Sequence, residues 1–440
     1  MTEYGRILDV TARLGKEMLQ CGANLERVNL MMTRLLHSYQ LHNIAINTLS
    51  TNITISGTDP EGNPHIRQIR VEPPSIDLEK MKKLNALCFD AVEQSLPIDE
   101  VASRFKEIKA LSASPWYITL IGFVIAMACL CRMFGGTWSE ILVTEINTVF
   151  LFFASRFLGK LKLNRIIPSF AMMFIVTSIA LFFTWIGFTP TFYNVIITCA
   201  FFLINGIGLV NSVRNILCGN EMNGIIEFIK VALEMVSIAA GLAAAFFLFG
   251  GWYSASLEES MYVATNDFLH NSELVMLSIL ASVGFGMVFG IRPKELVFAG
   301  LGGALVRIVY LALMTAFPEY RIVYASIAAF SAALYAEILA NIRKQPATLF
   351  LYPSIVPLIP GDLFYYAALG LVWSKHDLFA QNALNCILQL VSISVGFVIC
   401  STIVFLFRKM KVHRVLLVFE HMIPAKKNDS GKPEDHPEGK

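Results

Sequence analysis

Apolar and polar positions divide this chain into two unlike parts. Up to about residue 112 apolar and charged positions are mixed, whereas from Trp116 to about Phe407 the chain runs in long apolar blocks. Ten blocks are long enough for a helix to cross a bilayer, which takes about 20 residues. They lie at about residues 116–134, 138–158, 167–187, 191–213, 225–249, 274–291, 295–317, 321–342, 347–373 and 378–407. The pattern predicts a multi-pass α-helical membrane protein with a small N-terminal α+β domain.

The N-terminal part carries helical and strand periodicity in turn. Apolar residues recur at helical spacing from Ile7 to Tyr39, and Gly22 is a point where this helix can bend. Two alternating stretches, 52–56 and 65–71, flank turn-forming residues and predict a β-hairpin. Further helices are predicted at 77–94 and 98–110.

The membrane part repeats itself at a fixed offset. Leu203-Ile-Asn-Gly206 lies 155 positions before Leu358-Ile-Pro-Gly361, and the same offset pairs Glu140 with Glu295 and Gly241 with Gly396. The sequence therefore predicts two five-helix repeats. Because each half holds an odd number of spans, the second half enters the membrane from the opposite side. Inverted repeats of this kind are typical of secondary transporters.

Basic residues in the connections predict the orientation. They fall in alternate connections, at Lys160, Lys162 and Arg165, at Arg214, at Arg292 and Lys294, at Arg343 and Lys344, and from Arg408 to Arg414. Because basic loops stay in the cytoplasm, both termini are predicted to be cytoplasmic. The predicted parts are the cytoplasmic domain 1–112, the first repeat 113–250, an extracytoplasmic linker 251–273, the second repeat 274–415 and a disordered tail 416–440.

Two interrupted helices mark the candidate site. Pro353, Pro357 and Pro360 remove backbone donors within one apolar block, and the repeat places a second interruption at Asn205-Gly206. Each interruption lets a half-helix begin near mid-membrane, where its free N–H groups favour a carboxylate. The predicted substrate-binding residues are Asn205, Gly206, Pro360, Gly361 and Asp362. The alternative is that the breaks are kinks mended by neighbouring groups.

Ionisable residues within the apolar blocks are candidates for proton coupling. Glu227, Lys230 and Glu234 share one face of the fifth predicted span, and Asp362 follows the second break. Lys230 can neutralise one glutamate, which leaves a carboxylate able to carry a proton. The alternatives are a structural ion-pair cluster for the trio and a helix N-cap for Asp362. Further possible site residues are Arg307, Glu337 and Gln389, the last being the repeat mate of Glu234.

Composition narrows the function classes. The formal net charge is +2, which gives no reason to expect a nucleic-acid partner. The eight cysteines are scattered without metal-ligand spacing, and no phosphate-binding loop or nucleophile motif is found. We therefore expect no metal, no cofactor, no ATP-driven step on this chain and no enzymatic activity.

Three stretches resemble the threonine/serine exporter family. They are the run from Leu14 to Val28, the pair Gly135-Gly136, and the run from Ile338 through Gln345-Pro-Ala-Thr-Leu-Phe350 to Gly361. The resemblance covers about residues 7 to 415. It implies a cytoplasmic N-terminal domain and ten spans in two halves; in some bacteria the halves resemble two separate proteins linked to succinate export. It also implies proton-driven export of threonine and serine or of a dicarboxylate.

One departure from the family's pattern lies at the first break, where Asn205-Gly206 stands in place of Pro-Gly. We expect either a less sharp bend there or an Asn205 side chain that binds substrate.

The sequence thus predicts a secondary exporter of small carboxylates in the bacterial inner membrane. Its partners would be the substrate, protons and the lipid bilayer, and homo-oligomerisation stays open. The rival functions are a passive channel and a membrane sensor with a signalling domain.

Overall fold

The computed structural model describes residues 2–72, 75–111, 114–161, 164–249 and 268–422, with only the backbone for residue 268 and residues 408–422. Within these ranges the chain is mostly helical, with one small sheet. Most of the predicted linker at 251–273 and the end of the predicted tail lie outside the described residues. The last helix continues to Met422, past the predicted boundary at residue 415.

The N-terminal region, residues 2–111, is called the head below. It begins with two helices, α1 (Glu3–Gln20) and α2 (Leu25–Ser38). The prediction of a single helix to Tyr39 is therefore wrong. Gly22 has a φ of +96°, a left-handed conformation that favours glycine, and the Asn24 side chain then caps α2.

The sheet of the head has three antiparallel strands in the order β1 (His42–Thr48), β2 (Asn52–Thr58) and β3 (Pro64–Arg70). The predicted hairpin corresponds to β2 and β3. The Asp59 side chain holds their turn by accepting hydrogen bonds from the backbone of Glu61 and Asn63. The sequence prediction missed β1, whose side chains alternate in burial from Ile44 to Thr48 but include only two large apolar residues, Ile44 and Ile46. Helices α3 (Leu78–Glu93) and α4 (Ile98–Ala110) complete the head.

Eight helices of the described chain are long and apolar enough to cross a membrane. They are α5 (Trp116–Met133), α6 (Trp138–Lys160), α7 (Ile166–Trp185), α10 (Glu221–Phe249), α11 (Phe268–Val288), α12 (Pro293–Ala316), α13 (Arg321–Arg343) and α16 (His376–Met422). Two bent pairs fill the remaining predicted blocks. One joins α8 (Tyr193–Leu203) to α9 (Gly206–Leu217); the other joins α14 (Thr348–Ile355) and a 3₁₀ turn, Val356–Leu358, to α15 (Gly361–Val372). The number of possible membrane spans among the described residues is ten if each bent pair crosses the membrane once.

The two halves repeat one order of elements, α5 to α10 and α11 to α16. Most equivalent helices keep the 155-residue offset, as in α9 and α15, which begin at Gly206 and Gly361. The pair α7 and α13 differs by one residue: Gly241 of α10 packs on Phe170 and Phe174, and Gly396 of α16 packs on Ser326 and Phe330. The register between α7 and α13 is thus 156 residues.

The backbone is nearly the same at the two breaks. Asn205 has φ −77° and ψ 71°, and Pro360 has φ −78° and ψ 64°. In each half-helix the first N–H donates to the carbonyl two residues earlier, at Ile204 and Ile359. The first pair bends by 57° and the second by 46°. The expectation of a less sharp first break is therefore wrong, and proline is not needed for the bend.

The two half-helices differ in their caps. The Asn205 Oδ1 accepts a 3.0 Å hydrogen bond from the Gly208 N–H at the start of α9. Pro360 is the N-cap of α15 and supplies no side-chain acceptor. Asp362 lies within the first turn of α15, so the alternative that it is the N-cap is wrong.

The head packs directly on the ends of membrane helices. The Leu78 N–H donates to the carbonyl of Phe289, just after α11. Arg292 pairs with Glu79 at 2.8 Å, and Lys82 pairs with Glu295 at 3.1 Å. These contacts fix the head beside the start of α12.

Candidate functional site

A cavity of about 470 Å³ opens beside the first break. Its wall includes the start of α9, from Asn205 to Ile207, together with Arg165 before α7 and Glu234 in α10. Ile359 of the second break and Ile76 of the head also line it. The volume lies within the range of about 300–1,000 Å³ that is usual for small-ligand pockets.

Glu234 and Arg165 place opposite charges on this wall. The Arg165 Nη1 lies 3.5 Å from Glu234 Oε1. The Glu234 side chain is 12% exposed and that of Arg165 is 53% exposed, so the pair has one buried and one accessible member. Such a site can meet both charges of a zwitterion.

The other two members of the predicted trio lie apart from this pair. Glu227 accepts a 3.3 Å hydrogen bond from the Asn215 amide of α9. Lys230 is exposed. The ion-pair partner of Glu234 is Arg165, not Lys230, because the N-terminal end of α7 reaches α10 at this height.

The carbonyls freed by the second break meet side-chain donors. The Arg307 Nη2 donates to the carbonyl of Pro357 at 3.3 Å, and its Nε donates to the hydroxyl of Ser278 at 2.9 Å. The Gln389 Nε2 donates to the carbonyl of Leu358 at 2.8 Å, while its Oε1 accepts from the Nε of Arg321 at 2.9 Å. These polar residues satisfy backbone groups that hydrocarbon could not.

The space between the two breaks is filled. A Cβ on Gly206 would lie 2.8 Å from Ile359 Cγ2, and Gly361 lies against the ring of Phe201. The void that Pro360 and Gly361 line measures about 10 Å³, which is no larger than one water molecule requires. The structure thus brings the two breaks together but places Pro360, Gly361 and Asp362 outside the wall of the larger cavity.

Asp362 and Glu337 lie away from the cavity wall. Asp362 is half-buried and close enough to Tyr310 and Cys386 to act on both electrostatically. Glu337 lies in α13, where its carbonyl accepts from the Asn341 amide, and its charge acts on Cys400. Neither residue is grouped with Glu234.

Arg165 and Ile76 are two of the lining residues that the sequence did not indicate as part of a site. The sequence pattern indicates Arg165 only as a loop charge that sets the orientation. Its register with Arg321 could have identified it, but the one-residue shift between α7 and α13 hides that relation at the 155-residue offset. Ile76 belongs to the head, and no sequence pattern links it to a membrane cavity.

The cysteines behave as packing residues in the described chain. All eight are free thiols, and all but Cys218 are buried. In the head, burial raises the pKa of the Cys21 and Cys88 thiols to about 12, which keeps them protonated. Among the described residues, no three His, Cys, Asp or Glu side chains group closely enough to hold a metal ion.

Comparison with known proteins assigns the family. Residues 9–249 match the family described as "Putative threonine/serine exporter", and residues 274–403 match "Threonine/Serine exporter, ThrE". The chain is also 22% identical over 370 residues to the "Probable threonine/serine exporter" of Mycobacterium tuberculosis, which covers 81% of this chain and 68% of that protein. No solved structure matches. The first match alone spans more than half of the sequence, and the chain therefore belongs to the threonine/serine exporter family.

Proposed function

We propose that this protein exports threonine and serine across the bacterial inner membrane in exchange for protons. The observation that carries the proposal is the Arg165–Glu234 pair on the wall of a cavity at a helix break. Membership of the exporter family supports the direction and the substrate class. Both termini would be cytoplasmic, and the second half would be inverted relative to the first.

The substrate carboxylate would lie at the start of α9. There the Gly206 N–H bonds to Ile204 and the Gly208 N–H bonds to Asn205. This leaves the Ile207 N–H without a protein partner among the described residues, on the wall of the cavity that Arg165 also lines. The partial positive charge of a helix N-terminus adds to that attraction.

The substrate ammonium group would lie at Glu234, on the same wall. A carboxylate that holds an ammonium group must release it when a proton neutralises the carboxylate. Proton and substrate would then compete for Glu234, and such competition is the basis of exchange. The residues at the second break, Pro360, Gly361 and Asp362, would join the site only after the two half-helices separate.

A dicarboxylate such as succinate is the second substrate class. It would need two cationic groups, and one acid on the cavity wall disfavours it. Counterflow into proteoliposomes with labelled threonine, serine and succinate separates the two classes. We expect flux of threonine and serine, and succinate flux alone would overturn the amino-acid assignment.

Two variants test the coupling residues in the same assay. Glu234→Gln and Asp362→Asn each remove one negative charge, and we expect Glu234→Gln to have the larger effect. Glu319→Gln, an exposed substitution between α12 and α13, is the matched control. Unchanged transport in both test variants would refute the coupling assignment.

The rival functions give different results in the same vesicles. A passive channel would let threonine equilibrate without accumulation against its gradient. A sensor would show no flux of any labelled solute.

A further inference from the structure

The register between the two halves identifies two equivalent polar pairs. Glu234 and Gln389 occupy the same position of α10 and α16, 155 residues apart. Arg165 and Arg321 are equivalent at the 156-residue register that the glycine contacts give for α7 and α13. In both pairs the arginine donates to the Oε1 of its partner, at 3.5 Å in the first half and 2.9 Å in the second.

The second polar atom of the side chain differs between the halves, because Glu234 has an oxygen, Oε2, where Gln389 has a nitrogen, Nε2. In the second half, the Gln389 Nε2 donates to the carbonyl of Leu358, the last residue before the break. The equivalent carbonyl in the first half belongs to Leu203, which ends α8 and therefore has no partner within that helix. Leu203 and Glu234 line the same cavity.

A carboxylate and an amide differ in what they offer at that atom. An amide nitrogen always donates, whereas an ionised carboxylate only accepts. A protonated carboxyl group has one O–H donor and matches the amide. Glu234 can therefore make the hydrogen bond that Gln389 makes only while it carries a proton.

The charged groups around Glu234 leave Arg165 as its partner. Helices α7, α9 and α15 pack against α10, and the charged groups in these helices or at their N-caps are Arg165, Arg214 and Asp362. In the described chain, neither Arg214 nor Asp362 forms an ion pair with Glu234. On α10 itself, Glu227 lies seven residues away beside Asn215, and Lys230 is exposed.

We infer that protonated Glu234 closes the first break by a hydrogen bond to the carbonyl of Leu203. The Gln389 amide makes the equivalent hydrogen bond to Leu358 at the second break, where it does not depend on protonation. This inference rests on the proposed function and deepens it. As a carboxylate, Glu234 is open to the substrate ammonium group. After protonation, the Glu234 O–H donates to the carbonyl of Leu203. This hydrogen bond stabilises the first break as Gln389 stabilises the second, and the substrate is released.

Substrate affinity measured against pH tests this role. Calorimetric titration of the purified protein with threonine should show affinity that falls as the pH falls. In Glu234→Gln the amide mimics the protonated state, so affinity should be about 10- to 100-fold weaker at alkaline pH, the loss expected for a hydrogen bond to a charged group. The threonine affinity of this variant should also be independent of pH. Glu319→Gln should behave as the natural sequence does.

Infrared difference spectroscopy gives a readout that does not depend on transport. Acidification should produce the carbonyl band of a hydrogen-bonded carboxylic acid, and Glu234→Gln should lack this band. The inference is overturned if the variant keeps both the band and the pH dependence while threonine still binds. If the natural protein neither binds nor moves threonine or serine, the proposed function itself fails.

Discussion

At the second break, Arg307 and Gln389 donate hydrogen bonds to the carbonyls of Pro357 and Leu358, whereas the first break has a cavity beside it and a glutamate on the wall. The position equivalent to Arg307 is Phe152, which cannot donate. The two breaks share one backbone geometry, but among the described residues side-chain donors reach only the carbonyls of the second break. A break in a membrane helix is therefore not sufficient for a binding site. The surrounding donors decide whether it is closed.

Matched substitutions in the two halves should cause equal losses of stability where the helix packing is the same. Gly241→Ala and Gly396→Ala would press a Cβ onto the backbone of α7 and α13, close to Phe174 N in one case and Phe330 N in the other. Each should lower the free energy of unfolding by about 1–3 kcal/mol, the usual cost of overpacking. Thermal unfolding in detergent measures this. An effect in only one half would contradict the shared helix packing.

Matched substitutions in the two halves should cause unequal losses of stability where the polar side chains differ. Gln389→Leu leaves the carbonyl of Leu358 buried without its donor, at a cost of about 1–3 kcal/mol in the free energy of unfolding. The matched change at the equivalent position, Glu234→Leu, breaks only a long ion pair with an exposed arginine and should cost less. Equal losses in thermal stability would remove the distinction between a closed and an open break.

Placing a glutamate at position 389 should make the stability of the second break depend on pH. In Gln389→Glu, the side chain can donate to Leu358 only when protonated, so stability should be close to that of the natural protein in acid and should fall as the pH rises. The natural protein keeps its amide donor at every pH and serves as the control. Stability that is independent of pH in the variant would show that this donor does not hold the second break.

The smallest effect concerns the cap at the first break. Asn205→Ala removes the acceptor of the Gly208 N–H and should cost about 1 kcal/mol, as the loss of an N-cap usually does. Asn205→Asp keeps the acceptor and is the control. If threonine affinity falls much more than stability in the alanine variant, Asn205 contacts substrate as well as the helix.

The sequence predicted the spans well because membrane helices must be long and continuously apolar. It also located both breaks, since Asn-Gly and Pro-Gly occur at one offset. It did not predict that Arg307 and Gln389 close the second break, because these residues come from other helices and meet the break only after packing. Arg165 was not predicted because it meets Glu234 only after α7 packs on α10, and because the one-residue register shift hides its equivalence with Arg321.

The head illustrates a second limit of sequence reasoning. The chain forms two helices around Gly22 where one was predicted, and β1 was not predicted because its alternating pattern rests on only two large apolar residues, Ile44 and Ile46. The contact of Ile76 with the cavity depends on how the head docks onto α11 and α12. Local periodicity carries no information about such docking.

Threonine accumulation driven by a pH gradient shows whether Glu234 couples transport to protons. Proteoliposomes that contain the natural sequence, Glu234→Gln or the control Glu319→Gln are compared with and without a gradient. We predict that the natural protein and the control accumulate threonine only when the gradient is present, and that Glu234→Gln loses accumulation by at least about tenfold, since its fixed amide cannot exchange a proton. Full gradient-driven accumulation by Glu234→Gln would show that Glu234 does not couple transport to protons.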